Sequence, residues 1–577
     1  LANVRSAIAV TIALGVLLIV PAAAMGSQGR VVLAWLPSDT TVAELAEAGF
    51  SPGAMSAGLG KVPAEQTRLD IGQGNRVFDS LYDRPLPELE GSRRRWWRAV
   101  VERAESAPAE IVPGLLRSTL EWAGAGNRLV ETSTRTLLWA RKVGSQTLVI
   151  AIARPTGSTD APLPIGMRGA GVHGNLTSDS TRTDGYVLST DVAPTILEHL
   201  GIEVPSQMSG RPIRAEGPVD ASAIESRVER MEAISGRRGP VIGLPVAVWL
   251  LAVLLVAAAA RGGPTRVAVR TLALSLVYLP LLLLLGAALE PGQTAEAFLV
   301  ALGAPLLAAV TLALSGGYRA IATASALTVA AYGVDVIAGS PLSSLSLLGP
   351  NPGLGVRFYG IGNELEALLA VLTVAGTGAA LAAVARDWSR REAAGVFVGV
   401  GLLAAGIFGA GRFGADVGAA IVFPVGAAVA AVIMAGRGRR PLLLAAVVAP
   451  LLVLALLAVV DLLSGADAHL TRSVLDAGGL GDLADVAQRR LQLSAHSFVR
   501  PILLAFLPLV LGVAVCAYLR RDRLRVWLEG APAMRAGLTG ALAATVIGTL
   551  ANDSGALVLE IGAAYLLVFT GFAWAEA

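Results

Sequence analysis

The 577-residue sequence is poor in charge: 15% of its residues are Asp, Glu, Lys or Arg against 54% hydrophobic, with a mean hydropathy of +0.64. That balance excludes an ordinary soluble globular protein and makes a bilayer the natural solvent. Lysine is almost missing, with only Lys61 and Lys142, so there is no basic tract and no footing for nucleic acid as a partner. The single cysteine, Cys516, sits in an apolar run and excludes an internal disulfide; any exported part must fold without covalent staples.

What is present falls into three parts. Residues 1–29 contain an apolar run, Ser6 to Ala24, preceded by Arg5 and long enough to cross most of a ~30 Å hydrocarbon core. It reads as a retained anchor, with a cleaved signal peptide as the competing reading because of Pro21-Ala22-Ala23-Ala24. Residues 30–238 have the composition of a soluble domain. Strand-like runs such as Val31–Leu36 and Thr147–Ala153 alternate with helical patterns such as Arg93–Glu105 and Val192–Leu200, which predicts an extracytoplasmic α/β domain with a mostly parallel sheet. Ala221–Arg238 reads as a charged amphipathic helix leading to the membrane.

Residues 239–577 form a polytopic membrane domain of about eleven helices, or about twelve spans with the N-terminal one. The expected spans are Val241–Ala260, Val267–Ala288, Ala297–Leu314, Ile321–Ala338, Glu366–Val384, Ala393–Ala410, Val417–Ala435, Leu442–Leu463, Pro501–Leu519, Ala536–Ala551 and Ala556–Phe572. Arginines sort into alternate loops, which predicts a bacterial cytoplasmic membrane protein with residues 30–238 outside and the C-terminus in the cytoplasm. Six arginines run against that bias on the outer side: Arg357, Arg412, Arg472, Arg489, Arg490 and Arg500. Orientation does not require them, so they call for another purpose.

Four outer connections carry the candidate chemistry. The first, Pro350–Glu366 within the outer loop 340–365, reads PNPGLGVRFYGIGNELE; it is too polar to cross lipid and is expected to be partly re-entrant. Asn363 would cap a helix with Glu364 and Glu366 in its first turn, while Arg357 and Tyr359 exceed what capping needs. In the second, GAGRFGAD, Arg412 and Asp416 are four apart and either pair on a helix end or turn Arg412 toward the cavity of Arg357. The third, 464–500, holds Asp467, His469, Arg472, Arg489, Arg490, His496 and Arg500; part of it reads as an interfacial amphipathic helix whose arginines would meet lipid headgroups. Guanidinium forks also match phosphate oxygens, and imidazole moves protons near neutral pH. The fourth, Asn552-Asp553-Ser554-Gly555, is an adequate turn by itself, with Glu560 below it as an ionisable group inside a span. Asp335, near a span end, is expected at the interface.

One stretch of the α/β domain carries a family likeness. Leu163–Gly171, Thr177–Ser180 and especially VLSTDVAPTILEHLGIEVPSQMSGRPI, Val187–Ile213, resemble the closing segment of the alkaline phosphatase and sulfatase superfamily. The resemblance implies that Val31–Leu36 is the first strand and that Thr147–Ala153 is the strand that leads, in active members, to a metal-binding Asp-His pair. Here that strand runs into Ala153-Arg154-Pro155-Thr156-Gly157, with no such pair, and the domain holds only His173 and His199, the latter expected to be exposed. Asp39 and Thr40 stand where one acid and a nucleophile would be sought. The ligand set is too short for two metal ions, so a metal-free, catalytically inactive binding version of the fold is expected. The plan of one span, such a domain, then many spans is similar to that of the ethanolamine-phosphate transferases acting on glycolipid anchors. Arg357–Glu364, RFYGIGNE, resembles a stretch of a family of bacterial multi-pass envelope proteins.

The expected function is a cell-envelope transferase or polymerase acting on a lipid-phosphate-linked substrate, either a polyprenyl-phosphate-linked glycan or a phospholipid. Glu364, His469 or His496 would serve as base, and the binding set is Arg357, Tyr359, Asn363, Glu366, Arg412, Asp416, Arg472, Arg489, Arg490, Arg500, Asn552 and Asp553. No cofactor is implied. A transporter or flippase, and a scaffold that recruits an envelope-assembly protein, are the alternatives.

Overall fold

The computed structural model describes residues 29–87, 92–107, 109–134, 147–259, 263–350, 352–355, 357–385, 387–463, parts of 491–518, 519–552 and 554–577. They form two compact units that divide between Val228 and Glu229.

The first unit is built on a six-stranded sheet in the order β4-β1-β5-β7-β2-β9. Its strands are β1 (Arg30–Leu36), β2 (Ser51–Ser56), β4 (Leu129–Ser133), β5 (Thr147–Ala153), β7 (Leu163–Arg168) and β9 (Tyr186–Leu188). β1 pairs in parallel with β4 and β5, and β2 with β9; β7 alone runs against its neighbours β5 and β2. β5 is a continuous apolar run with both faces buried, as parallel strands between helical layers are. Helices α1 (Val42–Glu47), α2 (Ala64–Gln73), α3 (Arg93–Glu105), α4 (Leu115–Trp122) and α5 (Val192–His199) belong to this unit. Thr41 opens α1 with a capping box to Glu44. Short pairs β3 (Val62–Pro63) with β6 (Ser158–Thr159), and β8 (Asn175–Ser178) with β10 (Ile213–Glu216), complete it.

Helix α6 (Ala221–Arg238) contains the division and ends in a π turn, Gly239–Gly243, followed by α7 (Leu244–Ala259). The rest of the second unit is α8 (Gly263–Leu289), α9 (Gln293–Leu314), α10 (Tyr318–Ile337), α11 (Asn363–Val384), α12 (Arg390–Gly409), α13 (Val417–Met434), α14 (Arg439–Leu463), α15 (Arg521–Leu528), α16 (Pro532–Ala551) and α17 (Gly555–Glu576). Among the described residues nine helices are long and apolar enough to cross a membrane. They lie at nine of the expected positions. Ser6–Ala24 lies outside the described residues and Pro501–Leu519 mostly so; α7 has only 16 residues, because the π turn takes up the start of the expected span. The protein is therefore a membrane protein with a separate α/β unit.

Helices α11, α13 and α16 approach one another through glycine. A methyl group on Gly537 would stand 2.9 Å from the Val374 carbonyl oxygen and 3.0 Å from the Gly378 Cα, and one on Gly426 would stand 3.0 Å from the Ala544 Cβ. Where lipid removes the hydrophobic drive between helices, such close backbone packing holds them together. Pro280, Pro305, Pro424 and Pro450 lie inside α8, α9, α13 and α14, a placement that membrane helices tolerate better than soluble ones.

Candidate functional site

At the end of the helical unit where α11 begins, the connections before α11, α13 and α17 meet. The segment between α10 and α11 is folded against the protein. Asp335, near the end of α10, is buried and accepts the amides of Leu342 and Ser343 at 2.8 and 2.9 Å, so it anchors the segment. The Ser340 hydroxyl accepts the Gly360 amide at 2.8 Å. Gly360 has φ +77°, and a side chain there would run into the Gly414 carbonyl.

Arg357 joins this segment to the turn before α13. Its Nη1 donates to the Ile361 carbonyl at 2.6 Å and lies 3.5 Å from Asp416 Oδ2; its Nη2 donates to the Gly414 and Ala415 carbonyls. Asp416 turns its other oxygen to the amides of Gly418 and Ala419 at 2.9 and 3.4 Å and so caps α13. The carboxylate thus answers a guanidinium and a helix N-terminus together. Arg412 lies in the turn before α13, so it does not share a helix with Asp416. It is exposed, with its guanidinium 5.1 Å from the Phe413 ring centroid.

The start of α11 differs from expectation. The capping position is Gly362, in extended conformation, and Asn363 is the first helical residue, with no side-chain cap at this terminus. Gly362 fits because a methyl group there would press to 3.3 Å from Glu364 Oε2. Glu364 lies 3.8 Å from Arg238, both side chains partly exposed, and Arg238 also donates to the Gly349 carbonyl at 3.3 Å. Tyr359 and Asn363 are half-buried. Glu366 is fully buried and accepts the Asn552 carboxamide at 2.8 Å. Gly418 leaves room for that carboxylate, which any side chain at this position would strike. Asn552 brings in the link between α16 and α17, where Ser494 donates to the Thr549 carbonyl at 2.6 Å and Ser497 accepts the Ala556 amide at 2.9 Å. Glu560, below that link, is half-buried, and its Oε1 has no hydrogen-bond partner among the described residues.

Of the sequence candidates, Arg357, Tyr359, Asn363, Glu364, Glu366, Arg412, Asp416 and Asn552 therefore gather at one end of the unit. Asp467, His469, Arg472, Arg489, Arg490, His496, Arg500 and Asp553 lie outside the described residues. Sequence reasoning missed the neighbouring cluster on Glu296. This carboxylate, in the first turn of α9 and fully buried, receives Arg230 in a two-point contact at 2.8 and 3.2 Å and Arg237 at 3.1 Å. Arg237 also donates to the Pro291 carbonyl at 2.9 Å. A lone acid opening an apolar helix, downstream of an arginine-rich amphipathic one, was the available signal.

In the α/β unit the family-like segment has a structural task. Asp191 is fully buried and accepts from Ser178 at 2.7 Å, Ser180 at 2.6 Å, and the amides of Leu188 and Arg211, both at 2.9 Å. Thr195 donates to the Asp191 carbonyl at 2.6 Å and accepts the Ile213 amide at 2.8 Å, tying α5 to β10. Burial pushes the Asp191 carboxyl above the usual range, against the pull of Ser180 and Ser178. Burial likewise pushes Asp70 up to about 7, although Gln66 donates to it at 2.7 Å and Arg76 lies nearby. Asp39 and His173 are exposed. His199, expected to be exposed, is half-buried at the end of α5 and pushed down by that burial. Among the described residues no three His, Cys, Asp or Glu side chains converge as metal ligands.

No family model, no curated protein and no solved structure matches this chain.

Proposed function

We propose that the protein is a cell-envelope transferase or polymerase acting on a lipid-phosphate-linked substrate at the outer face of a bacterial cytoplasmic membrane, with residues 30–238 outside and the C-terminus in the cytoplasm. The supporting observation is the convergence of separate interhelical connections around Arg357, Asp416, Glu364 and Glu366 at one end of the helical unit. Mutual hydrogen bonds there hold non-helical backbone in place at a membrane end, the arrangement in which such backbone lines a site.

In this reading the residues divide their work. Arg357 spends its guanidinium on three carbonyls and Asp416, so it shapes the site. Exposed Arg412 and partly exposed Arg238 take the phosphate oxygens, joined by arginines of 464–500. Glu364, or His469 or His496, accepts the proton of the acceptor hydroxyl as its oxygen bonds to the transferred group. The bond from that group to the lipid phosphate breaks, and the phosphate leaves with the electron pair. The α/β unit is a phosphatase-like domain retained for binding, its family-like segment occupied in holding α5, β8 and β10 together through Asp191.

The test is turnover of a polyprenyl-phosphate-linked sugar by the purified protein in nanodiscs. Arg412→Ala and Glu364→Gln are expected to insert normally and each to lower turnover by about 10²-fold or more. Wild-type rates in both variants would remove the proposal.

A further inference from the structure

Helices α10, α11 and α12 enclose a groove of about 440 Å³, the size of a ligand site rather than a packing defect, since such sites run from about 300 to 1,000 Å³. Its walls are apolar and small-sided, with Ala326, Ala330 and Gly333 contributed by α10 and Gly376 by α11, and the exposed Val334 and Leu403 are on its rim. Two of the three wall hydroxyls are spent, Ser325 donating to the Ile321 carbonyl and Thr377 to the Thr373 carbonyl, each at 2.7 Å, and only the Thr373 hydroxyl has no hydrogen-bond partner among the described residues. A water needs two to four polar partners, and this groove does not supply them. Left empty, it would forfeit the dispersion contacts of its lining. Between helices that span a membrane, hydrocarbon fills it.

The rim of the groove is bonded through its backbone to the turn of the polar cluster. Ile407 and Phe408, on its rim, carry the carbonyls that accept the Gly414 and Asp416 amides at 3.1 and 3.2 Å. These are the residues of the turn that Arg357 holds. Along α11, Thr373 in the wall lies seven residues from Glu366, about 10 Å at the helical rise of 1.5 Å per residue. The groove therefore begins about two helical turns from the cluster, within reach of the tail of a lipid whose head lies there.

We infer that this groove is the tail site for the polyprenyl chain of the lipid-phosphate substrate. The inference rests on the proposed function for the identity of the lipid. Ala322, Ala326 and Ala330 recur at successive turns of one wall, leaving evenly spaced notches that suit the regularly spaced methyl branches of a polyisoprenoid.

The experiment uses the full chain in phosphatidylglycerol nanodiscs and a polyprenyl phosphate bearing a diazirine in its tail, with labelled peptides mapped by mass spectrometry. Label is expected in α10, α11 and α12, at least tenfold above that from a phosphatidylglycerol carrying the same diazirine. Gly333→Phe should reduce it at least tenfold, because a β-carbon at Gly333 meets only Ile407, at 3.9 Å, and fills the groove without displacing backbone. Ala330→Phe, on the same wall, is the second variant should the first fail to fold. Equal labelling by the two lipids, or labelling untouched by both variants, overturns the tail site and leaves the transferase proposal standing. Selective labelling without turnover of the linked substrate upholds the tail site and removes the transferase.

Discussion

The helical unit meets two of its buried acids in a way the α/β unit does not. In the α/β unit, Asp191 and Asp70 are met by hydroxyls, carboxamides and backbone amides, and burial holds both carboxyls above their usual range. In the helical unit, Glu366 and Asp335 are likewise met by a carboxamide and by backbone amides, but Glu296 and Asp416 are met by guanidinium groups. The difference teaches where each fold keeps its joints. A hydrogen-bond hub such as Asp191 collects backbone from several loops at one point, whereas an ion pair such as Arg230–Glu296 ties one long helix to another. Losing a hub frees several weak bonds. Losing one member of an ion pair leaves a naked charge.

The contrast makes three predictions. The largest effect is expected from Glu296→Ala, which leaves Arg230 and Arg237 facing no carboxylate and should cost about 3–5 kcal/mol, read as a lowered unfolding midpoint of the helical unit. Replacing Glu296 with Leu and both arginines with Met should recover most of that loss. If the single variant is as stable as the wild type, the ion-pair side of the comparison fails. Next, Asp191→Ala should cost about 2–3 kcal/mol as buried donors lose their acceptor, with Ser180→Ala nearer to 1 kcal/mol. Equal losses in the two variants would deny Asp191 its role as a hub.

The smallest effect is graded with pH. The Asp70 carboxyl titrates at about 7 in the fold and near 3.8 when unfolded, so the folded chain binds its proton more tightly. Its stabilising contribution is full below pH 3.8 and is lost as the pH rises toward 7, at up to about 1.4 kcal/mol per pH unit. Asp70→Asn keeps an acceptor for Gln66 and should flatten that slope, measured as pulse proteolysis of the α/β unit from pH 4 to 8. An unchanged slope would show that other groups set it.

Much of the framework was legible because its signals are local. Arg93–Glu105 and Thr147–Ala153 appear at the predicted boundaries, since helical spacing and a short continuous apolar run are properties of adjacent residues. The apolar helices were readable for the same reason. The details of the site were not. Asn363 looked like a cap by residue type, yet the chain enters α11 through Gly362 in extended conformation with no side-chain cap, a backbone path that side-chain preference does not encode. Glu366 finds Asn552 across 186 residues and Arg230 finds Glu296 across 66, and no window along the chain contains both partners. Asp191 could be read only as part of a motif. Its work became visible once β8, α5 and β10 were seen to share it.

The glycine contacts among α11, α13 and α16 bear on how the chain is made. α16 follows α13 by nearly a hundred residues of sequence, yet it supplies Gly537 and Gly540 to close contacts with α11 and α13. During synthesis the earlier helices enter the bilayer with a slot between them that nothing yet fills. The contacts among these three helices close only when α16 arrives, so a message cut short before residue 532 would yield helices that insert without that packing.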